Sequence, residues 1–197
     1  MNYRSQLKLA DSAAIINEKW IFMLYTKKAV YTSACISLCV VIPLVFHAIP
    51  NAGNIWLPMH IPVLLCGLIC GWKFGLLCGI AGPLISSILT QMPAISVLPS
   101  MIFELSSYGF ISGLLSEKIR TGKSLADIMI SQIISMLIGR IIYGIMNSVI
   151  FKAGNYSIHV WLSTSFLTAL PGIILQIILI PAVIYALEKS SLIPERY

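Results

Sequence analysis

Residues 98–115 read LPSMIFELSSYGFISGLL. The stretch is apolar enough to be helical and buried, yet it carries an acid, Glu104, near its start. Around it lies a chain of 197 residues that is 58% hydrophobic and 10% charged, with a mean hydropathy of +0.91. A water-soluble domain carries about 25% charged residues. No soluble fold of this length hides so much apolar surface, so the composition predicts an all-α integral membrane protein. An acid inside such an apolar run is therefore an acid at membrane depth.

Outward from this stretch, apolar runs fall at about 28–49, 58–71, 74–91, 96–116, 125–151 and 163–187. They predict a six-transmembrane-helix bundle as one membrane domain over 28–188. The second run is short, so it is tilted, starts before Pro58 or stops short of a full span. Residues 1–27 form an N-terminal segment, either a flexible tail or an amphipathic helix on the membrane surface. The polar start and the lack of a small-residue cleavage site predict that it is retained. Residues 189–197 form a short tail.

Thirteen Lys and Arg give a net charge of +6. With six spans, Arg4, Lys8, Lys19, Lys27, Lys28, Lys73, Lys118, Arg120, Lys123, Lys189 and Arg196 share one side. Lys152 alone is on the other, and Arg140 lies within the fifth span. By the positive-inside rule both termini are cytoplasmic in a multi-pass cell-membrane protein. Topology thus accounts for the basic balance, and no nucleic-acid partner is needed. The basic segment EKIRTGKS, 117–124, reads as a solvated loop, with anionic lipid heads as the alternative contact.

Of seven acids, Glu104 is the one far from the basic segments. Arg140, in ISMLIGRIIYGIMNSVIF (134–151), is its basic counterpart. Ionisable groups at this depth are costly and are paired or face a cavity. Counted from the outer ends of their spans, the two differ in depth by roughly 8 Å at 1.5 Å per residue. Either their long side chains meet, or a ligand or water sits between them. Tyr108 shares a helix face with Glu104; Tyr143, Gly144 and Asn147 continue a stripe from Arg140. Ser86, Ser87, Thr90 and Gln91 thicken the outer end of the third span, and Gln176 stands alone in the sixth. Polar side chains thus gather in the outer half, where a site loaded from outside would be.

The loop FHAIPNAGNIWLPMHIPVLLCGLICG, 46–71, holds three prolines and two histidines but no formal charge. It reads as a lid and rim, with His47, Asn51 and His60 able to donate and accept hydrogen bonds. Pro50 and Pro58 limit a rigid loop, and Pro62 lies in the first turns of the second span. Trp161 is a further rim residue. The cysteines at 35, 39, 66, 70 and 78 lie in apolar runs and read as packing residues. No metal or cofactor is expected. TGKS at 121–124 resembles the end of a phosphate-binding loop, but Glu117 stands where its first glycine is needed, so the chain carries no ATPase. No HExxH or GxSxG motif occurs either. In KKAVYTSACISLCV, Ala29, Ser33 and Ser37 are four apart, and Gly67, Gly71, Gly75 and Gly79 repeat likewise. Such seams let helices approach closely, within the bundle or against another membrane protein.

A short six-span chain of this kind resembles the substrate-binding S components of energy-coupling-factor (ECF) transporters, of the vitamin type found in low-GC Gram-positive bacteria. LPMHIPVLLCGLICG (57–71), GLLCGIAGPLISSILTQMP (75–93) and LPSMIFELSSYGFISGLL carry the likeness. The resemblance implies no enzyme, but the binding subunit of an ABC-type importer for vitamin uptake. It implies an EcfT-like transmembrane scaffold and two cytoplasmic ATPase subunits as partners. Ala29, Ser33 and Ser37 match the family's first-helix scaffold motif, with serines where alanines are usual. Glu104, Arg140, Asn147, Tyr108 and Tyr143 are expected to touch the substrate, with Asn51, His60, Ser87, Thr90, Gln91 and Trp161 around them. Pantothenate, pyridoxine-like compounds, a pyrimidine and queuosine precursors all fit. A stand-alone oligomeric transporter or channel is the alternative, and a small intramembrane enzyme a further one.

Overall fold

The computed structural model describes residues 3–46, 52–148 and 157–193, and of 3–24 the backbone alone. All regular structure among the described residues is helical: α1 (Tyr3–Phe46), α2 (Ala52–Trp56), α3 (His60–Cys70), α4 (Trp72–Thr90), α5 (Leu98–Lys118), α6 (Ser124–Met146), α7 (Ile158–Leu162), a π-helical turn (Ser163–Leu167) and α8 (Leu170–Lys189). Five stretches are long and apolar enough to cross a membrane: Tyr25–Phe46, Gly53–Cys70, Trp72–Thr90, Ser124–Met146 and Leu170–Lys189. The second begins before Pro58 and is built from α2 and α3, joined by a turn with Leu57 at φ 50°. α1 runs unbroken from Tyr3, so residues 3–27 continue the helix that carries the first apolar run.

α5 is 21 residues long but lacks the apolarity of the other five, because of Glu104 and its serines. Its polar face is shielded by protein. Ser100, Glu104, Tyr108 and Ser112 follow a four-residue spacing and are all buried. α3, α4 and α6 surround them. Backbone contact makes this possible. A Cβ on Gly75 would collide with the Gly109 carbonyl, and one on Gly79 with the Leu105 carbonyl. A Cβ on Gly67 would meet Ser112 and Gly109. The glycine repeat therefore serves α5 from two sides. Gly71 at φ 90° makes the reversal between α3 and α4.

α3 is the innermost helix, with ten of its eleven residues buried. Against it lies the inner face of α1: Thr32, Cys35, Cys39 and Pro43. The five cysteines are free and buried. Cys66 Sγ lies 3.6 Å from Thr32 Oγ1, and Cys35, Cys39, Cys66 and Cys70 pack on the α1–α3 seam, with Cys78 in the same core from α4.

The loops rich in Lys and Arg close one end of the bundle. Ser116 Oγ donates to the Leu68 carbonyl at 2.9 Å, and Ser124 Oγ to Glu188 at 3.3 Å. Tyr31 donates to the Leu192 carbonyl. Buried Asp127 accepts from the Thr121 amide at 3.1 Å and from its hydroxyl, fixing the α5–α6 loop. TGKS is thus the loop into α6, tied down by Asp127.

Gly109→Val places a branched side chain against the α4 backbone. We expect a loss of stability of about 3 kcal/mol or more, read as a lower thermal midpoint in detergent. Gly53→Ala, with nothing within 4 Å of the new methyl, is expected to leave it unchanged.

Candidate functional site

Glu104 lies six residues into α5, about 9 Å from its start. Its i+4 neighbour Tyr108 turns its ring against α6 at Gly139, where a Cβ would collide with the ring. That close approach places the next residue, Arg140, beside Glu104. Arg140 Nη1 and Glu104 Oε1 are 2.9 Å apart. The sequence left two arrangements open for this pair, and direct contact is the one adopted. The long side chains of the two residues span the difference in depth.

The same Glu104 oxygen accepts from the Tyr108 hydroxyl at 3.2 Å and lies 3.5 Å from His60 Nε2. The His60 and Tyr108 rings meet edge to face at 5.1 Å. Glu104 is 2% exposed, Arg140 5%, His60 2% and Tyr108 0%. His60 thus belongs to the interior cluster and not to a rim. It opens α3, directly after the Leu57 turn. One carboxylate facing three donor-bearing side chains is a site for ionic and hydrogen-bonding recognition in a low dielectric.

Asn147 is also buried, and its Nδ2 donates to the Tyr143 carbonyl at 2.9 Å. Tyr143 is half-buried. Gly144 backs onto the Trp161 indole, whose Nε1 donates to the Arg140 carbonyl at 3.0 Å. Trp161 therefore holds α7 against α6 at the cluster's own backbone. Ser87, Thr90 and Gln91 make local contacts at the end of α4. Ser87 donates to the Pro93 carbonyl at 2.9 Å and Thr90 to the Ser86 carbonyl at 2.7 Å, while Gln91 caps α4 at φ 59°. They shape the α4–α5 turn, and none has a contact with Glu104 or Arg140 among their hydrogen bonds. His47, Pro50 and Asn51 lie outside the described residues.

Two cavities border α6. One of about 250 Å³ is lined by Gly144, Ser148, Ser157 and Trp161 among others, with no charged residue among the described residues of its lining. The second, about 170 Å³, lies between α6 and α8 and reaches Arg140, with Met136, Phe166, Ile173 and Ile177 in its walls. The second bears on the site because it meets the charged cluster. Buried polar residues beyond the expected set stand next in sequence to its lining residues Ile133 and Ile177: Gln132 on α6 and Gln176 on α8, at 1% and 0% exposure. A lone amide in the apolar run 170–187 was the available signal for Gln176. Among the described residues, no three of His, Cys, Asp and Glu group so as to hold a metal ion.

A family model for the ECF transporter, substrate-specific component, matches residues 31–184. The chain belongs to this family, as a multi-pass membrane protein that serves as the substrate-specific subunit of an ECF transporter. Comparison with curated proteins and with solved structures gave no match to either.

Removing one member of a buried ion pair leaves an uncompensated charge, which costs about 3–5 kcal/mol. Glu104→Gln and Arg140→Met should each lower the unfolding midpoint in detergent. The double variant should recover a large part of the loss, a coupling that a double-mutant cycle measures.

Proposed function

We propose that this chain captures a vitamin or vitamin-like precursor from outside the cell and delivers it through an EcfT-like scaffold driven by two partner ATPases. The observation that carries this reading is the buried Glu104–Arg140–Tyr108–His60 cluster beside the α6–α8 cavity. Arg140 offers a fork for a carboxylate or phosphate. Glu104 offers an acceptor for an amine or ring N–H. A ligand bearing both kinds of group replaces the internal pair without leaving either charge bare in the membrane interior.

The topology that goes with this function has six spans over 28–188, with α5 as the protein-shielded fourth. Both termini and the basic loops lie in the cytoplasm. Residues 1–27 and 189–197 are then cytoplasmic, and the site opens at the opposite face.

The scaffold docks on the outward face of α1. Ala29, Ser33 and Ser37 are all exposed there, opposite buried Thr32, Cys35 and Cys39. Each serine hydroxyl donates to the carbonyl four residues earlier, at 2.9 and 3.0 Å. Their polar atoms are thereby satisfied in lipid, and the stripe stays narrow enough for a second helix to approach.

The small molecule that co-purifies with the protein, identified by mass spectrometry, should be recovered at least tenfold less from Glu104→Ala and Arg140→Ala, a loss of about 1.4 kcal/mol or more. Retention at the parent level would remove the cluster from recognition. Ser33→Leu and Ser37→Leu should weaken co-purification with the scaffold while leaving the thermal midpoint of the isolated subunit within about 1 kcal/mol of the parent. Uptake that persists in cells lacking the scaffold and ATPases would instead favour a stand-alone transporter.

A further inference from the structure

Gln176 is fully buried, and neither its amide oxygen nor its amide nitrogen has a hydrogen-bond partner among the described residues. Across the α6–α8 seam Gln132 is similar. Its oxygen has no partner, and its nitrogen reaches only Met136 Sδ at 3.9 Å. Buried amides left unsatisfied are costly, and natural interiors rarely keep them without a purpose.

Their placement suggests the purpose. Ile173 and Ile177, which flank Gln176, line the same cavity as Arg140. So do Ile133, next to Gln132, and Met136, one turn on. Each helix of the seam therefore carries an under-satisfied glutamine one position from an isoleucine that lines a space reaching Arg140, although neither glutamine lines that space itself. The level of Gln176 is set independently by Gly172, one turn earlier, where a Cβ would meet the Ile55 and Trp56 carbonyls. His60 lies one short turn beyond Trp56 in the chain, so α8 presents Gln176 at about the depth of the cluster.

We propose that Gln176, assisted by Gln132, is the neutral arm of the substrate site. It recognises an uncharged edge with adjacent donor and acceptor, such as an amide, lactam or aminopyrimidine. A carboxamide offers one donor and one acceptor in a plane, the complement of such an edge. The cavity's apolar walls suit the ring or chain that carries it. The substrate class is therefore a small molecule with a polar or ionic end for Glu104 and Arg140 and a neutral amide-like edge for α8. This inference rests on the binding function proposed above.

The test uses the full-length protein in detergent, Gln176→Met and Gln132→Met, and two one-ring probes, benzamide and benzoate. At about 10 mM, each probe raises the thermal midpoint by mass action if it binds the folded state. Without a probe, Gln176→Met should unfold at the parent temperature or about 2–4 °C above it, because an orphaned amide has left the interior. Benzamide should raise the midpoint of the parent, raise that of Gln132→Met less, and leave that of Gln176→Met unmoved. Benzoate should stabilise all three. A lower midpoint for ligand-free Gln176→Met would mark the amide as structural and overturn the inference. So would a benzamide shift that survives in Gln176→Met, or benzoate binding to the parent without benzamide binding. If neither probe shifts the parent, the binding site itself fails together with its neutral arm.

Discussion

The fold depends on shielding α5 from lipid. A helix carrying Glu104, Tyr108 and a file of serines has too few apolar positions to face hydrocarbon on all sides. In the absence of a hydrophobic force between helices in a bilayer, backbones must come close enough for dispersion and polar contacts to hold them. Gly67, Gly75, Gly79 and Gly109 supply that closeness. With α3 and α4 pressed onto α5, Tyr108 is steered into the notch at Gly139, and the register of α6 follows. The position of Arg140 is thus a consequence of glycine packing several turns away.

The opposite charges of the resulting cluster already satisfy one another, and on the proposed function this makes it selective. Its opposite charges satisfy one another, so a ligand has to do more than fit the space. It must replace one partner with a group of equal charge and hydrogen-bonding capacity, since an ion left bare at this depth is far more costly than the pair. A purely apolar molecule of suitable size would enter the α6–α8 cavity and leave the pair closed. Discrimination then comes chiefly from the penalty on the wrong ligand.

Much of this was legible in the sequence. Glu104 and Arg140 stood out because a charge in an apolar run has few explanations, and the helical pattern placed Tyr108 beside Glu104. The contact between them was not legible, because depth counted along separate helices does not say how far two long side chains reach toward each other. Ser87, Thr90 and Gln91 raised the polarity near the outer end of α4 for a local reason: the α4–α5 turn needs its carbonyls and chain reversal satisfied. Composition does not separate such turn chemistry from ligand chemistry. His60 sat among loop-forming residues and read as part of a rim. In the structure the Leu57 turn makes His60 the first residue of α3, where its ring is buried against Tyr108. Gln176 was visible as an isolated amide, but only the three-dimensional arrangement revealed that no side chain answers it.

The two halves of the molecule differ in how they hold together. Around α5 the contacts are backbone to backbone, and widening them by even a methyl group forces main chains apart. Between α6 and α8 the seam contains a cavity and unsatisfied amides, so separating these helices gives up fewer close contacts and exposes groups that gain by finding partners. A molecule that must admit a substrate beside Arg140 can do so at least cost along this seam. Trp161, bonded to the Arg140 carbonyl from α7, lies where the cluster and the chain leading into α8 meet. Trp161 thus ties the segment leading into α8 to the backbone of the residue that carries the positive charge, while α5, which carries the negative one, is held in its glycine frame. On the proposed function, opening the seam and opening the ion pair are one motion.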